Sequence, residues 1–316
     1  MSFEDRKRGA GKEAFFRDPS LFAAEPFRIF GPLYYVGDKK VCVHLIDTGE
    51  GLVLIDSGYT HTIHLLVDSI WRQGFDPKQI RYIVHTHGHH DHFGASNEFR
   101  RLYGCELVIG RTEAEYLKIH PEISCISFCY HTPLAYVPTE FQRVLEDGEV
   151  FVCGSLRMLC RSIPGHTPGA MAFFFDVTEG GRTYRAGLFG GAGKFSVSKE
   201  ALEHYGEPLS LQQDMLNSID KVRGEHVDIH LGNHPANNAT FEKRARMLAG
   251  EKDAFIDPAS WSGFLDKTRE KFVEMFEKEA AEKKTIIKGN RFDHCHRAFA
   301  AQQKRKPFGE YSGGLS

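Results

Sequence analysis

From Ile80 an apolar run that reads as a buried strand leads straight into His85-Thr86-His87-Gly88-His89-His90-Asp91-His92, which packs five histidines and an aspartate into eight residues. Two registers could give a metal motif. Starting at His85 leaves a histidine where a carboxylate is wanted, whereas starting at His87 gives His-x-His-x-Asp-His followed by Phe93-Gly94. In an extended segment residues two apart point to the same side, so His87 and His89 can grip one ion. The chain must then turn, and Asp91 and His92 emerge toward a second. Imidazoles with a carboxylate and no thiolate suit zinc, with manganese, iron or cobalt as alternatives. A histidine-rich surface loop is the competing reading, and the spacing behind a strand argues against it.

The motif Thr86-His87-Gly88-His89-His90-Asp91-His92-Phe93-Gly94 resembles the signature of the metallo-β-lactamase fold superfamily of hydrolases. The resemblance implies a four-layer αββα sandwich in the α/β class and two further ligands downstream, each at a strand end. Pro164-Gly165-His166-Thr167-Pro168-Gly169 looks like the third-histidine motif, and Gly232-Asn233-His234-Pro235 looks like the last-ligand motif as the third subclass of class B β-lactamases carries it. The implied metal set is His87, His89 and His166 on one Zn2+ and Asp91, His92 and His234 on the other. The same resemblance places Asp56 of Asp56-Ser57-Gly58 beneath the metals as a carboxylate that buttresses the ligands.

The remaining features bound the answer. The chain has 316 residues with 41% hydrophobic content, enough for one large domain plus appendages. We expect a short arm over residues 1–25, the hydrolase domain over 26–250, and a helical extension and tail over 251–316. Forty Lys and Arg against 42 Asp and Glu give a net charge of −2, so no basic field draws it to nucleic acid or anionic membrane. No apolar run reaches the length of a membrane span. The charged start Met1-Ser2-Phe3-Glu4-Asp5-Arg6 reads as no secretory leader, and the seven scattered cysteines read as reduced thiols, so a cytoplasmic location is expected.

Short β-rich runs punctuated by Gly and Asp (27–30, 33–36, 41–46, 52–55) read as a meander. Helical spacing follows over Ile63, Leu66, Val67, Ile70 and Trp71, and again over 96–103, 112–118, 209–222 and 240–248. Strands are expected at 150–152, 156–163, 171–177, 183–189 and 227–231. Asp257-Pro258 reads as the start of a helix over 261–284. His120, Phe128, Tyr130, His131 and Tyr136 are candidates for substrate contact, although for any one of them ordinary packing or surface exposure is the stronger reading. His85 and His90 read as pocket-lining or structural, and His230 as structural. His294-Cys295-His296 has no second pair nearby and is not taken as a metal site.

The chain departs from some relatives at Ala186–Gly193. Glyoxalase II-like enzymes and acyl-homoserine lactonases usually end this strand on a bridging aspartate, which is absent here. Third-subclass β-lactamases lack that aspartate but carry serines just beyond, where this sequence has Leu188 and Gly190. The resemblance therefore implies a dinuclear zinc hydrolase that opens a small cyclic amide such as a β-lactam through a shared hydroxide, with Asp91 orienting the nucleophile and shuttling the proton. A cytosolic lactonase or thioester hydrolase is the alternative. The partner is a small-molecule substrate, and a homo-oligomer is possible.

Overall fold

The computed structural model describes residues 17–124 and 139–303. The chain divides into two units, residues 1–272 and 273–316. The first holds two β-sheets. In the first sheet β1 (Phe27–Phe30), β2 (Leu33–Tyr35), β3 (His44–Asp47), β4 (Leu52–Ile55), β5 (Ile80–Val84), β6 (Glu106–Gly110) and β7 (Arg143–Leu145) lie in sequence order. The opening meander pairs antiparallel up to β4, and β4 to β7 pair parallel. The second sheet runs β12-β11-β10-β9-β8, built from β8 (Val150–Cys153), β9 (Leu156–Ser162), β10 (Met171–Glu179), β11 (Arg182–Phe189) and β12 (Ile229–Leu231).

The main core lies between the sheets. Tyr35, Val53, Ile55, Val84 and Val108 from the first meet Met158, Phe173, Phe175, Leu188 and Leu231 from the second, all buried. The outer face of the first sheet (Leu45, Leu54, Ile83, Leu107) is covered by Leu66, Ile70 and Phe99 of the helices Ile63–Arg72 and Ser96–Tyr103. The run Phe173-Phe174-Phe175 in β10 is buried on both faces, as expected for a strand sandwiched between layers. Phe174 points away from the sheet interface and meets Trp261 edge-on at 5.3 Å, and Trp261 Nε1 donates to the Val222 carbonyl at 3.0 Å. Each fully buried aromatic or aliphatic side chain of this kind contributes about 1.5–3 kcal/mol. Helix, sheet, sheet, helix is the expected layering.

Three local expectations need correction. Trp71 does not join the buried stripe: it is 54% exposed, because it stands about 100° round the helix from Ile70. Val41 and Cys42 precede β3, and Cys42 N–H donates to the Asn233 carbonyl at 2.9 Å, which ties this segment to the loop of His234. The helix that begins at Pro258 continues to Gln303, so His294-Cys295-His296 lies within helical backbone. Phe128, Tyr130, His131 and Tyr136 fall outside the described residues. His120 ends the helix Arg111–Ile119 and stacks on Tyr116 at 4.7 Å.

Candidate metal centre

β5 ends at Val84, yet the backbone stays extended to His85, whose N–H donates to the Val108 carbonyl of β6 at 2.8 Å. His87 and His89 follow, and a single helical turn over His90–Phe93 carries Asp91 and His92. The loop after β9 supplies His166, and the loop after β12 supplies His234. One trio is His87, His89 and His166, and the other is Asp91, His92 and His234. Within each, one donor atom per residue lies within 4.8 Å of the others. The trios adjoin, with the His87 and His92 rings 4.2 Å apart between centroids.

The donor atoms are aimed by the opposite edge of each ring. His92 Nδ1 donates to Asp56 Oδ2 at 2.7 Å. His87 Nδ1 faces Thr86 Oγ1 at 2.9 Å, and that hydroxyl donates to Asp56 Oδ2 at 2.8 Å. Since a hydroxyl donates one hydrogen, His87 Nδ1–H is the donor in the first contact. Asp56 Oδ1 accepts the Thr86 N–H at 2.8 Å. Asp56 is thus fully buried, holds rings of both trios, and sits at φ 63°. His166 Nδ1 meets the Gly193 carbonyl at 3.1 Å and Ser196 Oγ at 2.9 Å, and His234 Nδ1 donates to the Lys40 carbonyl at 2.8 Å. Four Nε2 atoms are left pointing inward, and His89 presents Nδ1, 3.1 Å from His87 Nε2. Two nitrogens on one tetrahedral zinc stand roughly 3.3 Å apart. The His92 Nε2 is buried without a hydrogen-bond partner. An orphaned imidazole nitrogen in a cluster of this composition fits a metal ion.

Burial, followed by the neighbouring imidazoles, holds His87 and His166 well below the ordinary histidine range. Burial brings His89 to about 4 and lowers His234. These rings are neutral, as ligation requires. At His92 burial acts downward too, but Asp91 and Asp56 outweigh it and raise the ring. Asp91 Oδ2 lies 3.5 Å from His92 Nε2 and 3.7 Å from His234 Nε2.

Three histidines outside the two trios have protein hydrogen-bond partners. His85 is buried, with Nδ1 on the Val108 carbonyl at 2.8 Å and Nε2 on Ser96 Oγ at 2.6 Å. His90 Nε2 meets Thr60 Oγ1 at 3.1 Å. His230 Nδ1 meets Ser260 Oγ at 3.1 Å. Leu188 is buried, and a Cβ on Gly190 would lie 2.0 Å from the Met171 carbonyl oxygen, so neither offers a side chain to a substrate. A Cβ on Gly191 would stand 2.3 Å from His166 Cδ2. The glycine loop lies flat on a candidate ligand. Beyond it a cavity of about 320 Å³ is lined by Ala192, Lys194, Ala236, Asn237, Thr268 and Lys271, with Phe264 and Phe272. Sequence reasoning missed Glu113, which is fully buried and accepts N–H groups from both ligand loops. In sequence it is an acid in a helix's first turn and carries no distinguishing signal.

A two-sheet sandwich with a histidine and aspartate cluster at the strand ends defines a metal-site hydrolase scaffold. Residues 37–179 match the metallo-beta-lactamase superfamily, and that stretch is a domain of this family. The chain is similar in structure to BJP-1, a subclass B3 metallo-beta-lactamase of Bradyrhizobium japonicum, at 26% identity and a TM-score of 0.72, covering 83% of this chain and 97% of that one. In sequence it is similar to a hydroxyacylglutathione hydrolase from Bartonella henselae, 30% identical over 172 residues, which covers 53% of this chain and 54% of that protein. A probable metallo-hydrolase from Burkholderia pseudomallei is 30% identical over 101 residues, covering 32% of each. The chain thus spans about half or less of these two curated relatives. No helix among the described residues is long and apolar enough to cross a membrane.

Proposed function

We propose that the chain is a dinuclear zinc hydrolase that opens a small cyclic amide of the β-lactam type. The observation that carries this is the adjacency of two complete donor trios, His87/His89/His166 and Asp91/His92/His234. Ions held there supply Lewis acidity and bring the ionisation of water close to neutral pH. Asp56 and Thr86 fix the His87 and His92 rings so that their Nε2 atoms stay deprotonated. The Asp91 carboxylate, beside both His92 and His234, orients the attacking water and takes up its proton. As the carbonyl carbon gains oxygen and its bond to nitrogen breaks, Asp91 returns that proton to the leaving nitrogen.

The second reading is a lactone or thioester hydrolase, favoured by the likeness to the hydroxyacylglutathione hydrolase. Side-by-side kcat/KM values on a chromogenic cephalosporin, an acyl-homoserine lactone and an acyl-glutathione thioester decide between them, with His87→Ala and His234→Ala as controls for contaminants. We expect the cephalosporin to lead by at least about tenfold. The reverse order establishes the second reading, and turnover on none of them, with zinc bound, overturns both.

A further inference from the structure

We infer that Glu113 is a positioning residue that locks the His87/His89 loop to the His166 loop and so sets the zinc affinity of the first trio. The inference rests on the metal-centre reading above. Glu113 lies in the first turn of the helix Arg111–Ile119, is fully buried, and is no member of either donor trio. Its Oε1 accepts the N–H of Gly88, the residue between His87 and His89. Its Oε2 accepts the N–H of Gly169, three residues after His166, at 2.7 Å. The first loop leaves β5 in one sheet, while the second leaves β9 in the other. One carboxylate therefore staples the two halves of the trio across the sandwich.

The fit leaves no slack. A Cβ on Gly88 would lie 2.8 Å from Glu113 Oε1 and 2.9 Å from Leu117 Cδ1, one turn along the helix. A Cβ on Gly169 would lie 2.1 Å from the Glu113 backbone nitrogen. Both loops carry glycine where they meet this helix, so backbone N–H groups can reach the carboxylate directly. A carboxylate offers acceptors on both oxygens, whereas an amide of the same shape offers one acceptor and two donors. In Glu113→Gln, an NH2 group must face one of the two N–H groups, and that loop is released. Partners that orient ligands without touching the metal typically govern about 10- to 100-fold of affinity.

The test is zinc binding to the full chain by chelator competition, with no activity readout needed. His166→Ala and His234→Ala identify which binding step belongs to which trio. Glu113→Gln should weaken the His166-dependent step about 10- to 100-fold and leave the His234-dependent step within about threefold. Equal weakening of both steps, or none, overturns the inference. If Glu113→Gln fails to fold, hydrogen exchange in the unmodified metal-free protein decides. Slow exchange at the Gly88 and Gly169 amides supports the staple, and exchange at exposed-loop rates refutes it. A wild-type chain with no zinc step sensitive to His166→Ala would instead overturn the metal-centre reading itself.

Discussion

Asp56→Asn is the sharpest perturbation of this site, because it changes hydrogen-bond polarity while keeping shape. Asp56 sits at φ 63°, a left-handed conformation that asparagine also tolerates, so no backbone strain is added. The carboxylate accepts three hydrogens, from Thr86 N, Thr86 Oγ1 and His92 Nδ1. An asparagine oxygen can keep the Thr86 N–H, but its NH2 group then faces the Thr86 hydroxyl and His92 Nδ1. The Thr86 hydroxyl, now an acceptor on that side, turns its hydrogen toward His87 Nδ1. Both His87 and His92 are thereby driven to carry their proton on Nε2, the atom that must be free to bind a metal. One ligand is compromised in each trio. At about 10- to 100-fold per oriented ligand, each ion should bind about 1.4–2.7 kcal/mol more weakly. Zinc titration against a chromophoric chelator, with circular dichroism to verify the fold, reads this directly. An Asp56→Asn protein that holds both ions within about threefold of wild type would show that the tautomer argument is wrong.

Two further outcomes follow from the geometry. Gly191→Ala places a methyl 2.3 Å from His166 Cδ2, whereas Gly193→Ala places one 3.0 Å from Cε1, so the first should weaken zinc binding by the His166 trio about tenfold or more and the second far less; comparable affinities in chelator competition would refute the steric account. Burial brings His44 and His230, neither a candidate ligand, to about 4 and about 3. The unfolded chain protonates these rings near 6.5 and the folded chain does not, so stability is intact above pH 6.5 and falls as pH drops toward 4, by several kcal/mol at about 1.4 kcal/mol per unit. His92, raised by its carboxylates, works in the opposite sense. Urea midpoints of the metal-free protein at pH 7.5 and pH 5 measure the balance, and an unchanged midpoint contradicts it.

Much of this was legible in the sequence for physical reasons. Strands buried on one face, such as β1 and β5, announce themselves through apolar spacing, and a metal motif announces itself through donor types at fixed offsets. The six candidate donors could be named because each stands in such a motif. Among their supports only Asp56 could be named, through its motif. Thr86 links Asp56 to His87 by side-chain geometry across 30 residues, the Gly193 and Lys40 carbonyls belong to backbone that any residue supplies, and Glu113 finds its two N–H partners only after both sheets have formed. Trp71 misled because a stripe of apolar residues does not say where burial stops. Gly190 reads as the absence of a substrate-binding side chain, whereas in the structure its neighbours Gly191 and Gly193 are what lets the chain lie against His166.

His87 and His89 come from one sheet, while His166 and His234 come from the other. A bound ion would therefore act as a rivet through the sandwich, and the dissociation constant would become a gauge of how well the two sheets are seated. Repacking Phe173, Met158 or Val53, core side chains that belong to neither donor trio, should then be felt at the rim as weaker zinc before it is felt as unfolding. In such a molecule a chelator is a denaturant that acts at a single point.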